Sequence, residues 1–317
     1  MHVLVKGYYG FKNLGDELIL FPLLSWIEEN YHPDTISIAC GDPRRLSSRL
    51  LEHKAFFPPI FTKLRFLPKP TLWEHFKNFL GIGHKHYDFV VFGGGQVIDE
   101  ERKFPYNGRN IPLLYRSFIN KKKFALVGGI WTQNKDRTPL LQKMLLQQAE
   151  IVILRDTFSL GLAEKELSAE EMKKVFLVGD LSMPLLEESK KMFEKQSPKN
   201  IRDRYVLVNS SPLCDTTKAI KKIKSLLRKF PDAQPIYFPA SLLEDLQYFA
   251  PLQEQIPALE LFDWTKAGIA TTMKLFYFAE GGIGARLHFL YPLKFFGKRY
   301  EVLHNSHKNQ VNLADID

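Results

Sequence analysis

The chain has 317 residues, 45% apolar and 25% charged, too apolar for a disordered chain and long enough for two domains of about 150 residues each. A formal net charge of +9 favours anionic partners, but the lysine clusters lie beside helical patterns with no aromatic-interleaved stripe, which excludes nucleic acid. Cys40 and Cys214 have no metal-ligand spacing and support no disulfide framework, as expected in a reducing cytosol, and no apolar run approaches the roughly 18 residues that span a bilayer.

Residues 2–6 read as a buried strand with no signal-like region before it, which points away from secretion. A glycine-rich turn follows, then apolar residues at helical spacing over 16–30, a strand at 36–40, a short helix at 43–53 and an irregular aromatic loop at 55–70. Residues 87–92, 124–127, 151–154 and 175–178 read as four further apolar strands. Each empties into a tight turn, at Gly93-Gly94-Gly95, Gly128-Gly129, Arg155-Asp156 and Gly179-Asp180 respectively. A polar, lysine-rich stretch over 190–200 marks a junction between a domain at 1–190 and a second at 200–317. The second domain continues with a strand at 205–209, a basic amphipathic helix at 218–230, a strand at 235–238, helices at 242–252 and 264–279, and the segment 281–288. Strands alternating with helices predict two Rossmann-like, doubly wound α/β domains facing across a cleft, with ligands beyond the carboxyl ends of the strands.

Three motifs carry chemistry. Gly7-Tyr8-Tyr9-Gly10-Phe11-Lys12-Asn13-Leu14-Gly15-Asp16-Glu17 joins the first strand to the first helix. Its glycines allow a backbone path that turns amide groups toward a ligand, with Asn13 and Asp16 within reach. The plain alternative is that Asp16 caps the helix and the glycines only make the turn. The spacing is not the dinucleotide fingerprint. Gly93-Gly94-Gly95 lets an anion or sugar approach the backbone, with Asp99 placed to reach back, or is simply a turn. In Gly284-Ala285-Arg286-Leu287-His288, Arg286 offers a planar fork to a carboxylate or phosphate and His288 a proton near neutral pH; the alternative has Arg286 on the surface and His288 buried and satisfied. His84 and His86, two apart with no paired carboxylate, make a poor zinc pattern.

Taken in order, these motifs together with Arg155-Asp156 and Gly179-Asp180 resemble those of the polysaccharide pyruvyltransferase family, over residues 1–308. The resemblance implies a GT-B-like architecture and transfer of a pyruvyl (ketal) group from phosphoenolpyruvate to a sugar of a cell-surface polysaccharide or its precursor, with no cofactor and no metal. It assigns His288 as the catalytic acid and Asp16 or Asp99 as the base. Arg286, Leu287, Arg155 and Lys308 then hold the donor, and Gly10, Asn13, Gly15, Gly94 and Gly95 line the acceptor side. The first domain would serve the acceptor, the second the donor. The enzyme implied is cytoplasmic, and its basic surface permits peripheral association with the inner face of an anionic membrane carrying a lipid-linked acceptor. Two other readings stand beside it: a GT-B-type glycosyltransferase using a nucleotide sugar, and a non-catalytic subunit of a polysaccharide-assembly complex, prompted by the short stretch after Lys308. The chain departs from the family pattern at Phe289-Leu290-Tyr291-Pro292 and Gly297-Lys298-Arg299.

Overall fold

The computed structural model describes residues 1–52, 61–68, 86–99, 122–131, 140–195, 204–304 and 306–314. By internal contacts the chain divides into two units, Met1–Phe11 with Ile19–Leu181, and Lys12–Leu18 with Ser182–Asp317.

The first unit is built on strands β1 (His2–Tyr9), β2 (Thr35–Cys40), β3 (Leu64–Leu67), β4 (Phe89–Asp99), β5 (Lys123–Trp131), β6 (Ile151–Leu154) and β7 (Val175–Leu177). Among the described residues they form one parallel sheet, ordered β3-β2-β1-β4-β5-β6-β7. Val3, Val5, Ile36, Ile38, Val90, Val91 and Phe124 to Val127 are all buried, so these strands read as apolar runs rather than alternations because both sheet faces are covered. On one face Leu4, Val90, Phe92, Phe124, Leu126, Val152 and Leu154 form a core with two helices that follow α1 (Leu14–Tyr31) and α2 (Pro43–Glu52) in the chain. Those two are α3 (Leu140–Gln148), through Leu145 and Leu146, and α4 (Thr157–Glu166), through Leu162 and Ala163. A short helix α5 (Ala169–Met172) with a Ser168/Glu171 capping box leads to β7. The strand order reverses between β1 and β4, which makes their carboxyl ends a topological switch point.

The second unit repeats the plan with β8 (Tyr205–Val208), β9 (Gln234–Tyr237), β10 (Glu260–Leu261), β11 (Gly281–Gly284) and β12 (Arg299–Val302), parallel in the order β10-β9-β8-β11-β12. Its switch point lies between β8 and β11. The helices of this unit are α6 (Met183–Glu194), α7 (Thr216–Lys229), α8 (Leu242–Asp245), α9 (Phe249–Gln255), α10 (Trp264–Ala267), α11 (Ile269–Phe278), α12 (Leu287–Phe295) and α13 (His307–Ala314). Helix α7 is capped by Asp215, whose carboxylate accepts from Lys218 N at 3.0 Å, and buries Ala219, Ile223 and Leu226 at helical spacing while Lys218, Lys221 and Arg228 are exposed. Every residue of α12 from Leu287 to Leu293 is buried, because a helix apolar on all sides belongs in the interior.

The structure revises several expectations. Within the stretch read as an irregular loop over 55–70, a 3-10 turn at Phe61–Lys63 leads into strand β3; residues 55–60 and 69–70 lie outside the described ones. Gly93-Gly94-Gly95 and Gly128-Gly129 do not end their strands. Pairing of β4 with β5 resumes at Gln96↔Gly129 and Ile98↔Ile130 after register shifts, so the glycines form a bulge inside a continuing ladder. The helix expected over 264–279 breaks at Gly268 (φ 81°), and that over 242–252 breaks into α8, a 3-10 turn at Leu246–Tyr248 and α9. The unit division falls between Leu181 and Ser182, so α6 packs on α11 in the second unit rather than closing the first.

Candidate functional site

At the second switch point, Asn209 follows β8 and the turn Ala285-Arg286 follows β11. Asn209 Oδ1 accepts from the Ala285 and Arg286 amides at 3.3 and 3.2 Å, and its Nδ2 donates to Phe238 O at 2.9 Å and to Asp245 Oδ2 at 3.2 Å. Asn309 on α13 donates to Ala285 O at 2.9 Å and so holds the same turn. Arg286 has extended backbone (φ −87°, ψ 137°) and stands at the N-cap of α12. Its Nε donates to Asp245 Oδ1 at 3.0 Å, and its Nη2 donates to Asp245 Oδ1 at 2.6 Å and to Glu244. None of these bonds uses Nη1.

Asp245 has no exposed surface, whereas the Glu244 side chain is 54% exposed. Burial pushes the Asp245 carboxyl above the usual carboxylate range, against the pull of the Arg286 guanidinium, the Ser241 amide at 3.0 Å and Asn209. Burial works against the Arg286 charge, but Asp245 and Glu244 more than offset it.

Residues 12–18 belong to this same unit. Leu14 N donates to Ala240 O at 2.8 Å and Leu242 N to Lys12 O at 2.9 Å, so Asn13 and Ser241 form an antiparallel bridge. Asn13 Oδ1 accepts from Gly15 N at 3.1 Å: the cap of α1 is Asn13, and Asp16 stands half-buried in the first helical turn instead of capping it. Gly15 makes no turn here. A Cβ on it would lie 2.0 Å from His288 Nδ1, so glycine is what lets the start of α1 lie against His288, which is 9% exposed. Asn13, Gly15, Asp16, Arg286, Leu287 and His288 are thus gathered in one unit. Leu287 is 4% exposed, which leaves its backbone amide, in the first turn of α12, as the group able to serve a ligand.

The remaining expected residues fall elsewhere. Gly10 (φ 74°) belongs to the first unit, where a Cβ would crowd Asp42 N at 3.1 Å, and Gly94 and Gly95 sit in the β4 bulge. Arg155, also in the first unit and 5% exposed, donates from Nε to Asp156 Oδ2 at 3.0 Å. Its Nη1 is buried with no hydrogen-bond partner among the described residues. Asp99 ends β4 and Lys308 lies on α13, but both side chains are outside the described ones.

Sequence reasoning missed Asn209, Ser241, Glu244, Asp245 and Asn309. Asn209 carries a signal, a polar residue ending an apolar strand where α/β sheets bind ligands. Asp245 carries none, because in sequence it is one acid of a surface-like helix. Among the described residues no group of three His, Cys, Asp or Glu is placed to hold a metal ion, and no helix is long and apolar enough to cross a membrane.

Solved structures with the same fold include UDP-GlcNAc 2-epimerase from Neisseria meningitidis bound to UDP-GlcNAc, at 13% identity and TM-score 0.60 over 96% of this chain and 83% of that one. The Methanocaldococcus jannaschii UDP-GlcNAc 2-epimerase in complex with UDP-GlcNAc and UDP matches at 13% identity and TM-score 0.59 over 100% and 92%. Anabaena Alr3699/HepE in complex with UDP and glucose matches at 12% and 0.54 over 95% and 80%. These likenesses identify the fold as GT-B-type. A search of curated proteins finds no match. The family model for polysaccharide pyruvyl transferase matches residues 13–291, beginning at the Asn13 that caps α1 and ending within α12 beyond His288, and the chain belongs to that family.

Proposed function

We propose that the protein transfers a pyruvyl group from phosphoenolpyruvate to a sugar of a polysaccharide or its precursor, forming a ketal. The observation that carries this reading is the junction of Asn13-Leu14-Gly15 with Arg286-Leu287-His288 inside one unit. There a cation, a histidine and the positive end of α12 share one switch point. Phosphoenolpyruvate carries a phosphate and a carboxylate, and Arg286 serves one of these anionic groups. His288 delivers a proton to the methylene carbon, making C2 oxocarbenium-like, and a sugar hydroxyl adds there while its proton passes to a base. Asp16, in the first turn of α1, is the base nearest in sequence to the Gly15 contact; Asp99 is the other candidate. Phosphate then leaves C2 with its electron pair, and a second hydroxyl closes the ketal, its proton ending on phosphate. Arg155, whose buried Nη1 has no partner among the described residues, and Lys308 are the further cations assigned to the donor.

The test is mass spectrometry of products after incubation with phosphoenolpyruvate and a panel of nucleotide-linked and lipid-linked sugars. A product heavier than the acceptor by one ketal-linked pyruvate, with release of phosphate, is expected; no such product from any acceptor would count against the assignment. The solved structures of like fold that hold UDP or UDP-GlcNAc favour a second reading, transfer from a nucleotide sugar. Thermal stabilisation by nucleotide sugars and none by phosphoenolpyruvate would select it.

In this proposal Arg286 and His288 serve the donor in the second unit, which also holds Asn13, Gly15 and Asp16 of the acceptor side, and the protein acts in the cytoplasm. Helix α7 supports membrane-side work. Lys218, Lys221 and Arg228 are exposed on it, and the helix carries no acidic residue.

A further inference from the structure

We propose that Glu244 holds the place on Arg286 that the donor's anionic group takes, so that donor binding is an exchange of the Glu244 carboxylate for that group on a fork held by Asp245. The inference rests on the donor reading above and gives two neighbouring acids opposite roles.

Arg286 meets Asp245 and Glu244 at once, but the two are held differently. Asp245 is fully buried and also receives the Ser241 amide at 3.0 Å and Asn209 Nδ2 at 3.2 Å. Releasing Arg286 would leave a charged carboxylate without its cation in a place closed to water, which is the expensive way to break an ion pair. Glu244 has a 54% exposed side chain that meets Arg286 Nη2, and on release it returns to water at little cost. An incoming anion therefore displaces Glu244 and not Asp245. Because Glu244 and Asp245 are consecutive at the end of the short helix α8, one turn of backbone presents a fixed partner and a replaceable one.

Asp245 acts as a positioning residue through a second connection. Its Oδ2 holds the amide of Ser241, the residue bridged to Asn13, so the carboxylate that fixes Arg286 also fixes the strand-like contact that carries Gly15 to His288. The exchange leaves that arrangement untouched, and the freed Glu244 carboxylate stays near the incoming anion as a repulsive neighbour that sets donor affinity.

The experiment is calorimetric titration of wild type, Glu244→Gln, Glu244→Ala, Asp245→Asn and a control, Glu254→Ala, with phosphoenolpyruvate and separately with inorganic phosphate; thermal unfolding confirms that each variant is folded. Glu254 is exposed on α9, so the control removes one negative charge away from Arg286. Both Glu244 variants are expected to bind both probes about two- to fivefold more tightly, the range by which an exposed ion pair competes. Asp245→Asn is expected to bind at least about tenfold more weakly. The control is expected to match wild type. Tighter phosphate binding by the Glu244 variants, with no binding of phosphoenolpyruvate by any protein, would retain the exchange and sink the donor reading. Unchanged or weaker phosphate binding by the Glu244 variants, equal tightening by Glu254→Ala, or tightening by Asp245→Asn would overturn the exchange.

Discussion

Replacing Arg286 by alanine leaves Asp245 buried with a charge and no cation, while replacing Glu244 only uncovers one edge of a guanidinium. For a broken buried pair the expected loss is about 3–5 kcal/mol of stability, against at most about 1 kcal/mol for the exposed one. The first loss depends on pH in a definite direction. Burial already raises the Asp245 carboxyl and Arg286 pulls it down, so without Arg286 it rises further and the folded protein binds a proton more tightly than the unfolded chain. The variant should therefore lie closest to wild type in acid and fall away as pH rises through the raised value, in urea melts compared from about pH 5 to about pH 8. Transfer by folded Arg286→Ala should drop by roughly two or more orders of magnitude in steady-state assays with phosphoenolpyruvate. Gly15→Ala must push a methyl group into His288; overpacking of this kind costs about 1–3 kcal/mol. Its loss of activity should exceed what its melting temperature explains, because the displaced group is the proposed acid. A Gly15→Ala protein with wild-type turnover would show that His288 has room to yield.

Among the elements, strands were easier to read than their ends. The apolar runs at β1, β2, β6, β8 and β9 are visible in sequence because parallel strands covered on both faces carry little else. β10 at Glu260–Leu261 and β12 at Arg299–Val302 went unread, since a two-residue strand and one of mixed exposure present no run. Glycines misled in both directions. They suggested an end to β4, where they form a bulge, and gave no warning of the break at Gly268, whose φ of 81° an L-residue adopts only with strain. Gly268→Ala should destabilise by about 1 kcal/mol or more in denaturant titration. Of the site, the ordered motifs disclosed Asn13, Gly15, Arg286 and His288. The acids that hold Arg286 were hidden, since partner choice across a fold leaves no mark on local spacing. On β2, Cys40 is 3% exposed and burial pushes its thiol up to about 12, so it stays protonated at neutral pH. Iodoacetamide should modify the half-exposed Cys214 in the folded protein and reach Cys40 only after unfolding, as read by mass spectrometry of peptides.

For the molecule as a whole, the fold class and its doubling were legible because alternating strands and helices leave few alternatives. The assignment of residues 12–18 to the second unit was not, since nothing in a linear sequence announces that the opening turn of an amino-terminal helix will pair with Ala240 to Leu242. The charge of +9 makes a whole-molecule prediction through α7. Binding to vesicles of mixed neutral and anionic lipid should exceed binding to neutral vesicles, fade with added salt, and weaken on joint replacement of Lys218, Lys221 and Arg228 by glutamate without loss of turnover on a soluble acceptor.

The bridge from Asn13 to Ser241 also sets an order of events during synthesis. Residues 12–18 are synthesised well before their partners Ala240, Ser241 and His288, so this contact closes a long loop. Until then the first turn of α1 waits without the surface it is shaped for, and a fragment starting at Ser182 would lack the Asn13 bridge and the glycine that lies over the histidine. Supplying residues 1–31 as a separate peptide to such a fragment is the direct way to see whether the late closure, and not the late sheet, completes the arrangement around Arg286.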